Sequence, residues 1–278
     1  TRTRLKDDNS ENRVTIFKNI DQLPVMEEGR TDLYFVGYPG SGKSTMLAGL
    51  LNAANKKGIL LPDTYSIEGN KYQTQLIQDL SRGVLPPATA IGSYNYVALS
   101  LKDENNKNHP FNLVEVPGEN YVQMTNNGEV EKLLSYINNK NKKILVFVID
   151  SLAHNNGYVD SKNSDDQSLA YPNILNMFFR NGILEETDAI YLVTNKFDAI
   201  KDSRYLSDNR NDDEIALDFL QEEFKNLINN CKELRNQSKN KFKIKVLPYS
   251  IGNVKYESII DDFNMDYSLK IINEVLTD

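Results

Sequence analysis

A single cysteine, Cys231, stands among 278 residues, and that scarcity excludes an internal disulfide framework. The two histidines have no Cys/His cluster around them, so the sequence carries no zinc signature. No apolar run approaches the ~20 residues needed to cross a bilayer, and the N-terminus is too polar for a secretory signal. Basic charge is also short, with 32 Lys and Arg against 39 Asp and Glu and a net charge of −7. No global positive field would draw the chain onto nucleic acid or acidic lipid, so neither a nucleic-acid partner nor a membrane span is expected. Two small basic clusters, Lys140 to Lys143 and Lys239 to Lys245, lie beside apolar runs and read as solvated strand ends. The expected compartment is a reducing cytoplasm. The sequence begins at Thr1 without a methionine, which suggests a processed or excised fragment with another domain upstream or downstream.

What is present, at 40% hydrophobic and 26% charged residues, suffices for a sizeable core. Residues 1–13 are charged and aperiodic and read as a tail or linker, leaving 14–278 as one domain. Short apolar runs then alternate with segments of helical period, the pattern of a mainly parallel sheet with helices on both faces. Strands are expected at Leu33 to Val36, Tyr94 to Leu101, Phe111 to Val116, Ile144 to Ile149, Ala189 to Thr194 and Phe242 to Leu247. Helices are expected at Ser44 to Ala54, Tyr72 to Leu80, Glu129 to Asn138, Leu169 to Arg180, Asp213 to Arg235 and Tyr267 to Leu276. In the long one, Leu217, Leu220, Phe224, Leu227, Ile228, Cys231 and Leu234 recur at three and four, so Cys231 reads as a core thiol. The second and third strands are separated by a polar connection too short for a crossover helix and should form an antiparallel hairpin. Insertions are expected around 58–88 and 151–168; Ser151 to Ser168 and Asp198 to Asp212 read as surface loops.

Gly37-Tyr38-Pro39-Gly40-Ser41-Gly42-Lys43-Ser44 meets every fixed position of G-x-x-x-x-G-K-[ST], with an apolar run before it and a helical segment after it. The spacing serves phosphate binding. Glycines let backbone N–H groups wrap the anion while the helix N-terminus adds positive dipole. Lys43 is expected to reach the β- and γ-phosphates and the Ser44 hydroxyl to ligate Mg²⁺, with Thr45 next in the same turn. The fold class that follows is α/β, a three-layer P-loop NTPase fold.

Asn195-Lys196-Phe197-Asp198 comes directly after the fifth expected strand. Here the chain resembles the Ras-like P-loop GTPases, in which such an N-K-x-D motif reads guanine. The resemblance makes Asp198 the acceptor for N1 and the 2-amino group of the base, Asn195 the brace of the loop and Lys196 the stem packed over the ring. A desolvated carboxylate facing adenine would go unpaired, which is the source of selectivity.

Looser matches complete the resemblance. Glu115-Val116-Pro117-Gly118-Glu119 is similar to the family's D-x-x-G motif, with Glu115 where an aspartate usually serves the metal and Gly118 offering its N–H to the γ-phosphate. The position of the water-orienting glutamine holds Glu119; a carboxylate there would face the γ-phosphate, so hydrolysis is expected to be slow or partner-assisted. Gln123 is a substitute close by. Thr89 is the candidate switch threonine for Mg²⁺ and the γ-phosphate, and Arg82 a candidate arginine finger. Ser250 and Ile251 stand where the family has a short loop touching guanine O6. The class implied is translation-factor-related, and the long gap between Ser44 and Glu115 resembles the prokaryotic double-GTPase domains.

That resemblance implies a protein binding GTP or GDP with Mg²⁺, with Lys43, Thr89 and Glu119 as the catalytic set and Ser44, Thr89 and Glu115 around the metal. It implies a nucleotide-dependent switch read by an unidentified effector or activator, with Tyr121 and Met124 as contacts; the oligomeric state is left open. Two other readings stand beside it. One is a module or scaffold holding GTP without turnover; the other is an ATP-dependent P-loop phosphotransferase.

Overall fold

A computed structural model of the chain describes residues 17–87, 93–116, 128–154, 162–256 and 258–278. The elements run β1 (Thr31–Val36), α1 (Lys43–Lys57), β2 (Leu60–Pro62), α2 (Ile67–Ser81), β3 (Asn95–Lys102) and β4 (Asn108–Glu115). They continue with α3 (Gly128–Ile137), β5 (Lys142–Asp150), α4 (Lys162–Arg180), β6 (Thr187–Asn195), α5 (Phe197–Arg204), α6 (Asp212–Glu223) and α7 (Lys225–Gln237). The last are β7 (Lys243–Tyr249), β8 (Gly252–Lys255), β9 (Ile259–Phe263) and α8 (Asp266–Thr277).

Seven strands form one sheet in the order β2-β3-β4-β1-β5-β6-β7. The pairings of β4, β1, β5, β6 and β7 are parallel, while β3 runs antiparallel to both β4 and β2. This is the α/β fold of P-loop NTPases, with the expected hairpin in place. The strands read as near-continuous apolar runs because helices cover both faces. Side chains alternate between two cores: Tyr34 and Val36 enter one, Leu33 and Phe35 the other. Helices α3, α4, α6 and α7 line the first core; α1, α2 and α8 line the second.

All six expected strands are present. Leu60–Pro62 and the paired strands Gly252–Lys255 and Ile259–Phe263 were not foreseen, since strands of three to five residues leave little periodicity. The helix expected over Asp213 to Arg235 is two, α6 and α7, broken at Phe224, whose φ of −125° leaves the helical range. Leu217 is exposed, off the face that α6 buries through Ile215, Ala216, Phe219 and Leu220, while Leu220, Phe224, Leu227, Ile228, Cys231 and Leu234 are buried. The loop expected from Asp198 to Asp212 holds α5, whose Phe197 and Ile200 are buried under a charged surface. The segment 151–168 is helical from Lys162 onward.

The solvated reading of the first basic cluster fails at Lys143, whose side chain is fully buried. Its ammonium donates to the Asn139 and Asn141 carbonyls, the latter at 2.8 Å, and lies near Asp32. Buried charge persists when paired and hydrogen-bonded in this way. Among the described residues no helix is long and apolar enough to cross a membrane.

Candidate functional site

The carboxyl ends of five parallel strands meet at one edge of the sheet. Registers align Phe35 with Glu115, Val36 with Phe147, Asp150 with Asn195, and Asn195 with Tyr249. The phosphate-loop, Glu115, Asn195 and Ser250 segments therefore emerge side by side, where ligands of open α/β sheets bind.

Between β1 and α1 the loop turns through Gly40 at φ +79° and Gly42 at φ +89°, a region that a side chain enters at a cost. No side chain caps α1. A helix start of this kind, with its first-turn N–H groups outside the intrahelical ladder, suits an anionic ligand. Lys43 is buried and its Nζ donates to the carbonyls of Gly37 at 2.9 Å and Tyr38 at 3.2 Å. Ser41 Oγ is buried, with Tyr171 as its side-chain neighbour among the described residues. Pro39 is half-buried at the loop's crest. These are the groups a polyphosphate would engage.

A second loop clamps the first. Asn195 Nδ2 donates to the Ser41 carbonyl at 2.7 Å, and the Lys196 N–H donates to Asn195 Oδ1 at 2.8 Å. Lys196, held at φ +57°, ion-pairs with Asp150 at 2.6 Å and reaches the Gly40 carbonyl at 3.3 Å. Asp198 sits in the first turn of α5, exposed, with no hydrogen-bond partner among the described residues, so its carboxylate is available to a ligand. Ser250 and Ile251 are buried; Ser250 Oγ accepts from the Gly252 N–H at 3.1 Å, a tie that shapes the loop.

Glu115 is buried at the end of β4, and its Oε1 accepts a hydrogen bond from the Ser44 hydroxyl. Ser44 and Glu115 are thus adjacent, as the metal assignment requires. Mg²⁺ is commonly held by one or two protein oxygens with phosphates and water filling the shell. Two adjacent oxygens beside the phosphate loop fit that pattern. Among the described residues no cluster of three or more His, Cys, Asp or Glu could hold an ion.

Arg82 is exposed at the end of α2. Thr89, Gly118, Glu119, Tyr121, Gln123 and Met124 lie outside the described residues.

Sequence reasoning missed the residues behind this front. Tyr72 and Asn95 bond Glu115 from the far side. The Tyr171 hydroxyl donates to the Val148 carbonyl at 2.8 Å and accepts from the Tyr38 N–H at 3.2 Å, fixing the loop from α4. The Ser151 hydroxyl donates to the Asn195 carbonyl at 2.5 Å. Only the position of Asp150 and Ser151 at a strand end hinted at a role; the tyrosines gave no local signal.

The family model described as Double-GTPase 1 matches residues 34–170, a span that includes the phosphate loop and Glu115. Three solved structures are distant likenesses. The signal recognition particle receptor SRb-GTP/SRX complex of Chaetomium thermophilum is 11% identical, with 83% of this chain and 94% of that chain covered and a TM-score of 0.40. A mammalian SRP receptor structure is 14% identical over 88% and 97%, at a TM-score of 0.41. The nucleolar GTP-binding protein 1 of Plasmodium falciparum is 15% identical over 82% and 80%, at 0.36. No curated protein matches the chain. With the phosphate loop and the Asn195 to Asp198 motif at one end of one sheet, the chain is similar to the Double-GTPase 1 family over residues 34–170.

Proposed function

We propose that the chain binds GTP and GDP with Mg²⁺ and hydrolyses GTP, serving as a nucleotide-dependent switch. The observation that carries this reading is the clamp from Asn195 to the Ser41 carbonyl, which couples a guanine-reading loop to a phosphate-binding loop. In this reading the N–H groups at the start of α1 and the Lys43 ammonium bind the phosphates, and Asp198 selects guanine. The Lys43 contacts to Gly37 and Tyr38 would be exchanged for phosphate oxygens, a charge-assisted replacement of neutral acceptors. Mg²⁺, when bound, neutralises charge developing on the phosphates; Ser44 and Glu115 are its candidate protein oxygens. The catalytic roles of Glu119 and Thr89, the N–H contact of Gly118 and the guanine contacts of Ser250 and Ile251 belong to the same proposal.

Turnover decides between switch and holder. A Glu119 carboxylate in place of glutamine favours slow hydrolysis or a partner that supplies the missing group, an effector or activator in a cytoplasmic setting. The test is GTP turnover by the purified protein with Mg²⁺, beside Lys43→Ala and Asp198→Asn, with identification of any nucleotide that copurifies. Turnover abolished by Lys43→Ala supports the switch. GTP retained intact for hours supports a GTP-holding module, and ATP competing equally with GTP refutes guanine selection.

A further inference from the structure

Glu115 is one methylene longer than the aspartate its motif usually carries, yet it is buried to 1% exposure. A buried carboxylate needs donors on both oxygens. Oε1 faces Ser44. Oε2 accepts from the Tyr72 hydroxyl at 3.1 Å and from Asn95 Nδ2 at 2.9 Å, and Asn95 also donates to the Tyr72 oxygen at 3.0 Å. The three side chains close a triangle behind the site.

The sequence builds that triangle through α2. Ser66 caps the helix by accepting from the Gly69 N–H at 3.0 Å. Gly69 then lies against β3: a Cβ at this position would meet the Tyr96 carbonyl at 2.6 Å. Only a residue without a side chain lets the helix come so close, and Tyr72 follows one turn later on the same face. Asn95 opens β3 and pairs across the hairpin with Glu115 itself.

We propose that Tyr72 and Asn95 are positioning residues for the metal edge of the nucleotide site. By occupying Oε2 they leave Glu115 to present Oε1 alone, beside Ser44. A single oxygen suits a small octahedral cation such as Mg²⁺, whereas Ca²⁺ tolerates a carboxylate binding through both oxygens. The helix α2, an addition between the phosphate loop and the hairpin, thereby sets metal affinity and metal choice. This inference rests on the guanine-nucleotide reading above.

The experiment follows release of fluorescent GDP from the full chain by stopped flow, titrated with Mg²⁺, with Ca²⁺ and in EDTA, for wild type, Tyr72→Phe, Glu115→Gln and the double variant. Tyr72→Phe should raise the Mg²⁺ midpoint about tenfold, the loss of one hydrogen bond to a charged group. It should narrow the preference for Mg²⁺ over Ca²⁺ and leave release in EDTA unchanged. In the Glu115→Gln background, Tyr72→Phe should add little, because its action passes through that carboxylate. An unchanged Mg²⁺ midpoint in folded Tyr72→Phe, an equal loss of affinity in EDTA, or additivity in the double variant would each overturn the inference and leave the nucleotide reading intact. A wild type that binds no guanine nucleotide would bring down both.

Discussion

Replacing Gly42 by alanine tests the coupling between the two loops. The residue holds φ +89°, and the added methyl would sit 2.3 Å from Asn195 Nδ2, far inside contact distance. Two costs follow. The left-handed backbone costs about 1–2 kcal/mol for a residue with a Cβ. Pushing Asn195 aside breaks its bond to the Ser41 carbonyl and strands that buried acceptor, about 1–3 kcal/mol more. The sum is about 2–5 kcal/mol, or roughly 3–9 °C in melting temperature for a chain of this size. Asn195→Ala alone should cost about 1–3 kcal/mol for the lost bond. In the double variant the methyl meets no amide, so only the backbone strain should be added, and the two changes together should cost less than their sum by about 1–3 kcal/mol. Denaturant unfolding of the wild type, both single variants and the double variant reads that coupling directly. Strict additivity would refute the claim that the clamp and the glycine share one space.

Asp198→Asn should weaken binding of a fluorescent guanine nucleotide by a hundredfold or more, while ATP binding stays as it was; equal losses for both bases would point to a folding defect. The Cys231 thiol, pushed up to about 12 by burial, is a neutral core group, so alkylation at pH 8 should be undetectable in the native protein and complete once urea unfolds it. Leu217→Ala should change stability by less than about 0.5 kcal/mol and Leu220→Ala by about 2–5 kcal/mol, with denaturant midpoints as the readout.

Much of the site was legible because its chemistry forces residue types. Phosphate wrapping needs glycines at set intervals, and the loop from Gly37 to Ser44 therefore shows in the sequence without help from the fold. The hairpin was legible too, since nine turn-rich residues, eight of them polar, between two apolar runs admit no crossover. What stayed hidden depends on contacts made at a distance. Tyr72 lies 43 residues before the Glu115 that it holds, and nothing local separates it from any other half-apolar helical residue. Helix α5 escaped because only Phe197 and Ile200 of its eight residues are buried, too few to set a period. The break at Phe224 escaped because the apolar spacing runs through it unchanged, so periodicity predicts one helix where the backbone makes two.

The small hairpin β8–β9 also receives the exit of α2. The Leu85 N–H donates to the Ser258 carbonyl and the Ile260 N–H to the Gly83 carbonyl, both at 2.8 Å, with Val84 bridged to Ile259. These partners lie about 175 residues apart, so they join only after most of the chain has been made. A ribosome adding residues in order would finish the phosphate loop, the hairpin of β3 and β4, and β6 before the strand that fastens residues 83–85 exists. The closure entropy of so long a loop falls late in folding, and residues 83–85 should be among the last parts to gain protection against amide exchange.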